Sequence, residues 1–219
     1  MLHPSRDSYL VAPDPAVKPP QTTKIARLQY SGNWGPEPGG WQRLASVLHK
    51  AGRIELDVAP VKLGAGKLDA SVYKIAHLTG TTQMILPAAQ QAELKKFIDA
   101  GGTLIIDSAG GSTGFSTSVE QLIPLITPAG SILAQLDPSH PSMARVPGIK
   151  MRRFEIARIG KSKEVLPRTV NINGRAAVFY SPLDLAAGLV GQPIDGIAGY
   201  DPDTAKNIMS GIIAYAAQH

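Results

Sequence analysis

Asp107 and Ser108 follow the apolar run Thr103-Leu104-Ile105-Ile106 and open a turn of small residues, Ala109-Gly110-Gly111. A serine at a sharp strand-to-helix turn can act as a nucleophile, because the turn exposes its hydroxyl and frees backbone N–H groups for an oxyanion. His140 is the candidate base, with Asp137 or Asp184 to orient it. The elbow pattern is half met: Gly110 stands two residues after Ser108, but Ile106 stands two before it. The competing reading is that Asp107 and Ser108 cap backbone N–H groups in a tight turn, and a half-elbow favours it.

Other polar residues follow predicted strands in the same way. Asn33 and Trp34 come after the first, Thr79, Gly80 and Thr81 after the third, and Asp137 and His140 after the fifth. Ser181 and Asp184 come after the return strand of a hairpin. In an open α/β sheet, loops at the carboxyl ends of strands share one rim, where ligands bind. A small polar ligand or a protein partner is therefore expected at a rim formed by Asn33, Trp34, Thr79, Gly80, Asp107, Ser108, Gly110, Asp137, His140, Ser181 and Asp184. Tyr30 and Trp34 could stack a sugar ring or cover the sheet edge. Asp137 and His140, three apart, would need Asp107 or Asp184 to complete a metal site, and a proline-bracketed histidine turn reads as structural. Neither metal nor cofactor is expected. His77 reads as a satisfied strand-end histidine.

The elements that must position these residues alternate. Strands are predicted over Lys24 to Tyr30, Ile54 to Val61, Val72 to Leu78, Thr103 to Ile106 and Ser131 to Leu136. Pro60 puts the second near an edge. Trp41, Leu44, Ala45 and Leu48 mark a helix stopped by Gly52, and Leu94, Phe97 and Ile98 a second, opened by Pro87 and closed by Gly101-Gly102. Thr117 and Glu120 have capping-box spacing ahead of Leu122, Ile123 and Ile126. This order implies right-handed βαβ units and a mostly parallel sheet. Beyond Pro141 the pattern turns antiparallel, with strands over Met151 to Ile159 and Arg168 to Tyr180, the latter folded at Asn173-Gly174 as a type I′ hairpin. Ala186 to Gly199 reads as a glycine-rich loop or lid. A last helix runs from Pro202 to Ala217, capped by Asp201, with Ile208, Ile212 and Tyr215 as its stripe and Gly211 and Ala214 for close approach to the sheet.

At 219 residues, the chain suits one α/β domain over 24–219 behind an extended proline-rich lead-in, 1–23. The lead-in lacks the layout of a signal peptide and could equally be a mature end. The absence of cysteine excludes disulfides, zinc-thiolate sites and thiol catalysis. Net charge is +5, concentrated between Arg145 and Arg175, where nine basic residues face Glu155 and Glu164. A basic ribbon over about 145–180 reads as edge protection, and with Phe154 its lone aromatic before Phe179 nucleic acid is not the expected partner. No apolar run approaches the roughly 20 residues of a membrane span.

Taken together, Ile25 to Tyr30 with Asn33-Trp34, Leu78-Thr79-Gly80, Gly101 to Leu104 and Asp107 to Gly111 resemble a bacterial family, domain of unknown function 4159. Leu136-Asp137, His140-Pro141, Val178 to Leu185 and the closing Asn207 to Ala216 helix continue the resemblance in order. The family is grouped with class I glutamine amidotransferase-like folds. The resemblance implies a flavodoxin-like three-layer sandwich with an appended antiparallel hairpin, no established reaction, and an extracytoplasmic setting. Members tend to carry cysteine at the positions of Ser108 and Ala109, and amidotransferases need a cysteine nucleophile. With neither present, a non-catalytic module is expected, and a hydrolase built on Ser108, His140 and Asp184 is the alternative.

Overall fold

The computed structural model describes residues 12–151, 166–192 and 196–219. Seven strands form one sheet: β1 (Thr22–Gln29), β2 (Glu55–Lys62), β3 (Ile75–Gly80), β4 (Thr103–Ser108), β5 (Leu133–Gln135), β6 (Arg168–Ile172) and β7 (Arg175–Ser181). Their order is β2-β1-β3-β4-β7-β6-β5. The first five run parallel; β6 pairs antiparallel with both β7 and β5. The first four positions and the parallel fifth follow the flavodoxin-like doubly wound order, in which the chain reverses direction between β1 and β3.

Among the described residues, five helices complete the sandwich: α1 (Pro38–Lys50), α2 (Ala88–Asp99), α3 (Thr113–Ile126), a single turn α4 (Ala186–Leu189) and α5 (Pro202–Ala216). Trp41, Leu44 and Leu48 of α1 and Ile208, Ile212 and Tyr215 of α5 pack on Ile25, Ile75, Ile105 and Phe179. On the other face, Leu94, Phe97 and Ile98 of α2 and Phe115, Val119 and Leu122 of α3 cover Ala26, Leu78, Ile106 and Val178. Central strands lie between two apolar layers, which is why β3 and β4 are buried at every position.

The hairpin turn is as the sequence requires. Asn173 (φ 52°) and Gly174 (φ 75°) are both left-handed, the pair a type I′ turn demands. Its return strand β7 pairs parallel with β4, and β6 and β5 add the expected antiparallel edge beyond it. Pro60 lies on the edge strand β2.

Several boundaries differ from expectation. The third strand begins at Ile75; Val72 is 47% exposed in the turn before it. The third helix begins at Thr113, capped by Ser112, whose hydroxyl accepts from Phe115 N (3.2 Å). Thr117 instead donates back to the Thr113 carbonyl inside that helix, so no capping box forms. β5 is three residues long. Gly211 gives close approach to the Ser142 carbonyl, to which an added Cβ would come within 1.9 Å. The first part of the expected lid, 186–189, is a buried helical turn. The expected strand at Met151 to Ile159, apart from Met151 itself, and positions 152–165 of the basic ribbon lie outside the described residues.

Candidate functional site

Strand alternation decides which way the rim residues point. Asp107 faces the α1 side of the sheet and Ser108 the α3 side, because successive residues of a strand point to opposite faces. Both are fully buried.

On the α1 side, Trp41 Nε1 donates to His77 Nδ1 (3.1 Å), and His77 Nε2 meets Asp107 Oδ1 (2.7 Å). Indole N–H can only donate, so Nδ1 must accept and the Nε2 proton is the one presented to the carboxylate. The second carboxylate oxygen accepts from Leu185 N (3.1 Å) and Ala186 N (3.0 Å), at the start of α4. Thr79 Oγ1 closes the cluster on the Asp107 carbonyl (3.0 Å). His77 is thus satisfied, as the sequence suggested, but its partners come from α1 and β4. Neither is visible in local sequence. The parallel register sets His77 opposite Ile105, making Asp107 its diagonal neighbour on the same face. One ionisable residue in each of two neighbouring, fully buried strands, offset by two in register, was the available signal.

Asp184 does similar work one loop later. Its Oδ2 accepts from Gly110 N (2.6 Å), and its Oδ1 from Ala187 N (2.9 Å) and Gly188 N (3.3 Å). Ala198 N donates to the Gly110 carbonyl, and an added Cβ at Gly111 would strike Ala198, so 196–200 seats directly on the 110–111 turn. Ser181 is turned onto its own loop, donating to the Leu183 carbonyl (2.7 Å). Above β4 and β7 the rim is closed.

On the α3 side, Ser108 Oγ is 2.8 Å from Ser116 Oγ of α3. Ser108 itself has ordinary extended backbone (φ −86°, ψ 98°), and the left-handed residues of the turn are Gly110 and Gly111. A nucleophile elbow concentrates its strain at the serine. His140 lies on the opposite face of the sheet, its ring 6.0 Å from Phe179 and 4.7 Å from Tyr215, with Nδ1 on Ser142 Oγ (2.8 Å). Burial chiefly lowers its pKa, with Asp137 raising it and His219 lowering it further. Asp137 is exposed in its own turn; hydrogen bonds from Ser139 N and then Ser139 Oγ lower its pKa. The structure does not bring Ser108, His140 and Asp184 together. The physical reason is topological: β5 sits at the far edge, three strands from β4, and the chain leaving it turns under the sheet. Among the described residues no group of three or more His, Asp and Glu is placed to hold a metal ion.

The rim stays open at the other side, beside the β1/β3 reversal. Asn33 Nδ2 donates to Thr81 Oγ1 (3.0 Å), tying the loop after β1 to the loop after β3, and Tyr30 OH donates to the Thr79 carbonyl (3.1 Å). Gly80 is obligatory there, since a Cβ would lie 2.2 Å from Tyr30 OH. Next to this tie a cavity of about 370 Å³ is lined by Gln29, Tyr30, Ser31, Trp34, Lys62, Leu63 and Gln90. Trp34 is half-buried, with the Arg27 guanidinium 5.4 Å from its ring centre. Burial lowers the Arg27 pKa, and its Nε is buried without a hydrogen-bond partner among the described residues.

The sequence matches the family described as Domain of unknown function (DUF4159) over residues 24–216. The chain belongs to that family. The match takes in every strand but the first two residues of β1, so all the rim residues of this DUF4159 domain lie inside it. No curated protein matches the sequence. No helix among the described residues is long and apolar enough to cross a membrane.

Proposed function

We propose that this DUF4159 domain is a non-catalytic, amidotransferase-like module that binds a small polar ligand at the β1 side of its carboxyl-end rim. One observation carries the reading. The groups that a rim-centred reaction would use, Asp107, Ser108 and Asp184, are fully buried and hydrogen-bonded within the fold, while the Trp34 cavity is open. The cavity lies at the carboxyl ends of β1 and β2, on the ligand-binding rim of a doubly wound sheet and one strand from its reversal, and its volume is that of a small-molecule site. Trp34 supplies a flat apolar face; Gln29, Ser31, Lys62 and Gln90 supply donors and acceptors around it. That combination suits a ring with polar substituents, such as a sugar or nucleoside.

Tryptophan emission offers a direct test, because the chain has two tryptophans and Trp41 is 2% exposed. A panel of monosaccharides, nucleosides and free amino acids is titrated while emission and thermal stability are followed. The expected result is at least one compound that quenches or shifts the Trp34 emission and raises the melting temperature, with both effects lost in Trp34→Ala. Compounds that stabilise Trp34→Ala as strongly as the wild type would overturn the assignment.

A further inference from the structure

A second cavity lies at the opposite, amino-terminal end of the sheet. It has a volume of about 590 Å³, between the carboxyl end of α1, the start of β2 and the outer side of α5. Leu48, Ile54 and Ala214 make its apolar floor. Arg53 and Arg145 stand on its wall, both exposed, and Asn207, Gln218 and Gln21 add neutral donors and acceptors. None of its lining residues is a carboxylate.

The two arginines reach this wall from sequence-distant segments. Arg53 follows Gly52, whose left-handed backbone (φ 63°) ends α1. Arg145 follows the 3-10 turn Pro141–Met143, which is fixed on α5 by the contact of Ser142 with Gly211. Both backbone anchors are packed against the fold, and both arginines line one space without a carboxylate among its lining residues. Like charges brought together this way are unfavourable unless something negative joins them. Guanidinium forks match carboxylate and phosphate oxygens in pairs, which an ammonium cannot do.

We infer that the cavity bounded by Arg53, Arg145, Leu48 and Ile54 is a binding site for a small organic anion, a carboxylate or phosphate monoester with an apolar body. The anionic group pairs with the two guanidinium groups, and the apolar body covers Leu48, Ile54 and Ala214. The site is separate from the Trp34 rim and does not depend on it.

The experiment compares inorganic phosphate, citrate and phenyl phosphate, each titrated at constant ionic strength against the intact chain by calorimetry and thermal shift. Phenyl phosphate is expected to bind at least tenfold more tightly than inorganic phosphate, since only it has a ring for the apolar floor. Arg53→Ala and Arg145→Ala are each expected to weaken it about tenfold, and the double variant to abolish it, with unliganded melting temperatures unchanged. Arg53→Lys with Arg145→Lys is expected to retain only weak binding, because charge without the fork remains. Equal binding by wild type and the double alanine variant, or no stabilisation by any of the three anions, would sink the proposal. So would a duplex oligonucleotide that outcompetes phenyl phosphate with a steep salt dependence, which would reassign the arginines to phosphate backbones.

Discussion

The imidazole of His77 presents its Nε2 proton to Asp107 across 2.7 Å, wholly inside the protein, while Trp41 fixes the other ring nitrogen. Asp107 cannot be replaced by its own amide without a fault. An asparagine oxygen can face His77 or the two backbone N–H groups of α4, and the NH₂ then confronts whichever donor remains. Asp107→Asn is expected to destabilise by roughly 3 kcal/mol, the cost of leaving buried donors unpaired. Trp41→Phe orphans His77 Nδ1 alone and should cost roughly 1–3 kcal/mol. Chemical denaturation of both singles and the double variant checks this. Additive effects would show that the three residues are not one network.

Ser108 offers a chemical probe of the closed rim. Its hydroxyl is buried against Ser116 of α3. Ser108→Cys would be the chain's single thiol, because the protein has no cysteine. Reaction with a thiol-specific disulfide reagent is expected to be slow in the native state and fast only in denaturant, since a buried thiol is inert. Rapid native-state labelling would mean that the 108–111 turn opens readily, and would return Ser108 to consideration as a reactive group.

The sequence was most legible where one residue's neighbours in the chain decide its conformation. Asn173-Gly174 forms its turn, Asp201 its cap and Pro60 its edge for local reasons, and all three are where the pattern puts them. The candidate site was less legible because it depends on strand order. Asp137 and His140 do follow a strand, but that strand lies at the far edge and its outgoing chain passes to the face covered by α5. Asp184 was legible as a polar loop residue. That its carboxylate would hold Gly110, Ala187 and Gly188 together required knowing that β4 and β7 are neighbours.

His49 and His140 are expected to titrate in opposite directions. His49 hydrogen-bonds the Glu55 carboxylate and the Asp14 carbonyl (2.8 Å), two acceptors that together require both ring protons. Its pKa is raised, first by the Glu55 bond and then by the Asp14 bond. A raised histidine stabilises fully below its unfolded value of about 6.5, and that contribution fades as pH rises through the folded value. Segment 12–21, tied to α1 through His49, should therefore exchange its amides faster at pH 8.5 than at pH 6 after correction for intrinsic rates. His49→Ala should remove the difference. His140 is depressed, chiefly by burial, so its contribution is complete above about 6.5 and is lost as pH falls from there through the lowered folded value. Proton NMR titration of the ring signals gives both signs directly; a His140 value above 6.5 or a His49 value below it would contradict the geometry.

One carboxylate keeps the rim above β4 and β7 shut. Asp184 accepts three backbone N–H groups, one from the 110–111 turn and two from α4, and its own N–H donates to the Ala198 carbonyl. Asp184→Asn retains one acceptor oxygen and turns an NH₂ toward amides that need an acceptor. Charge-assisted bonds of this kind are worth roughly 1.5–3 kcal/mol each, so a loss of roughly 2–4 kcal/mol is expected. The loss should be local before it is global. Faster hydrogen exchange is expected in 185–192 and 196–200 and at Gly110, with the β1 and β3 amides unaffected until global unfolding. If ligand binding takes place at Trp34, Asp184→Asn should leave it intact, because the loosened loops lie on the other side of the rim. A variant that loosens both sides together would instead show that the rim closes as one cooperative unit.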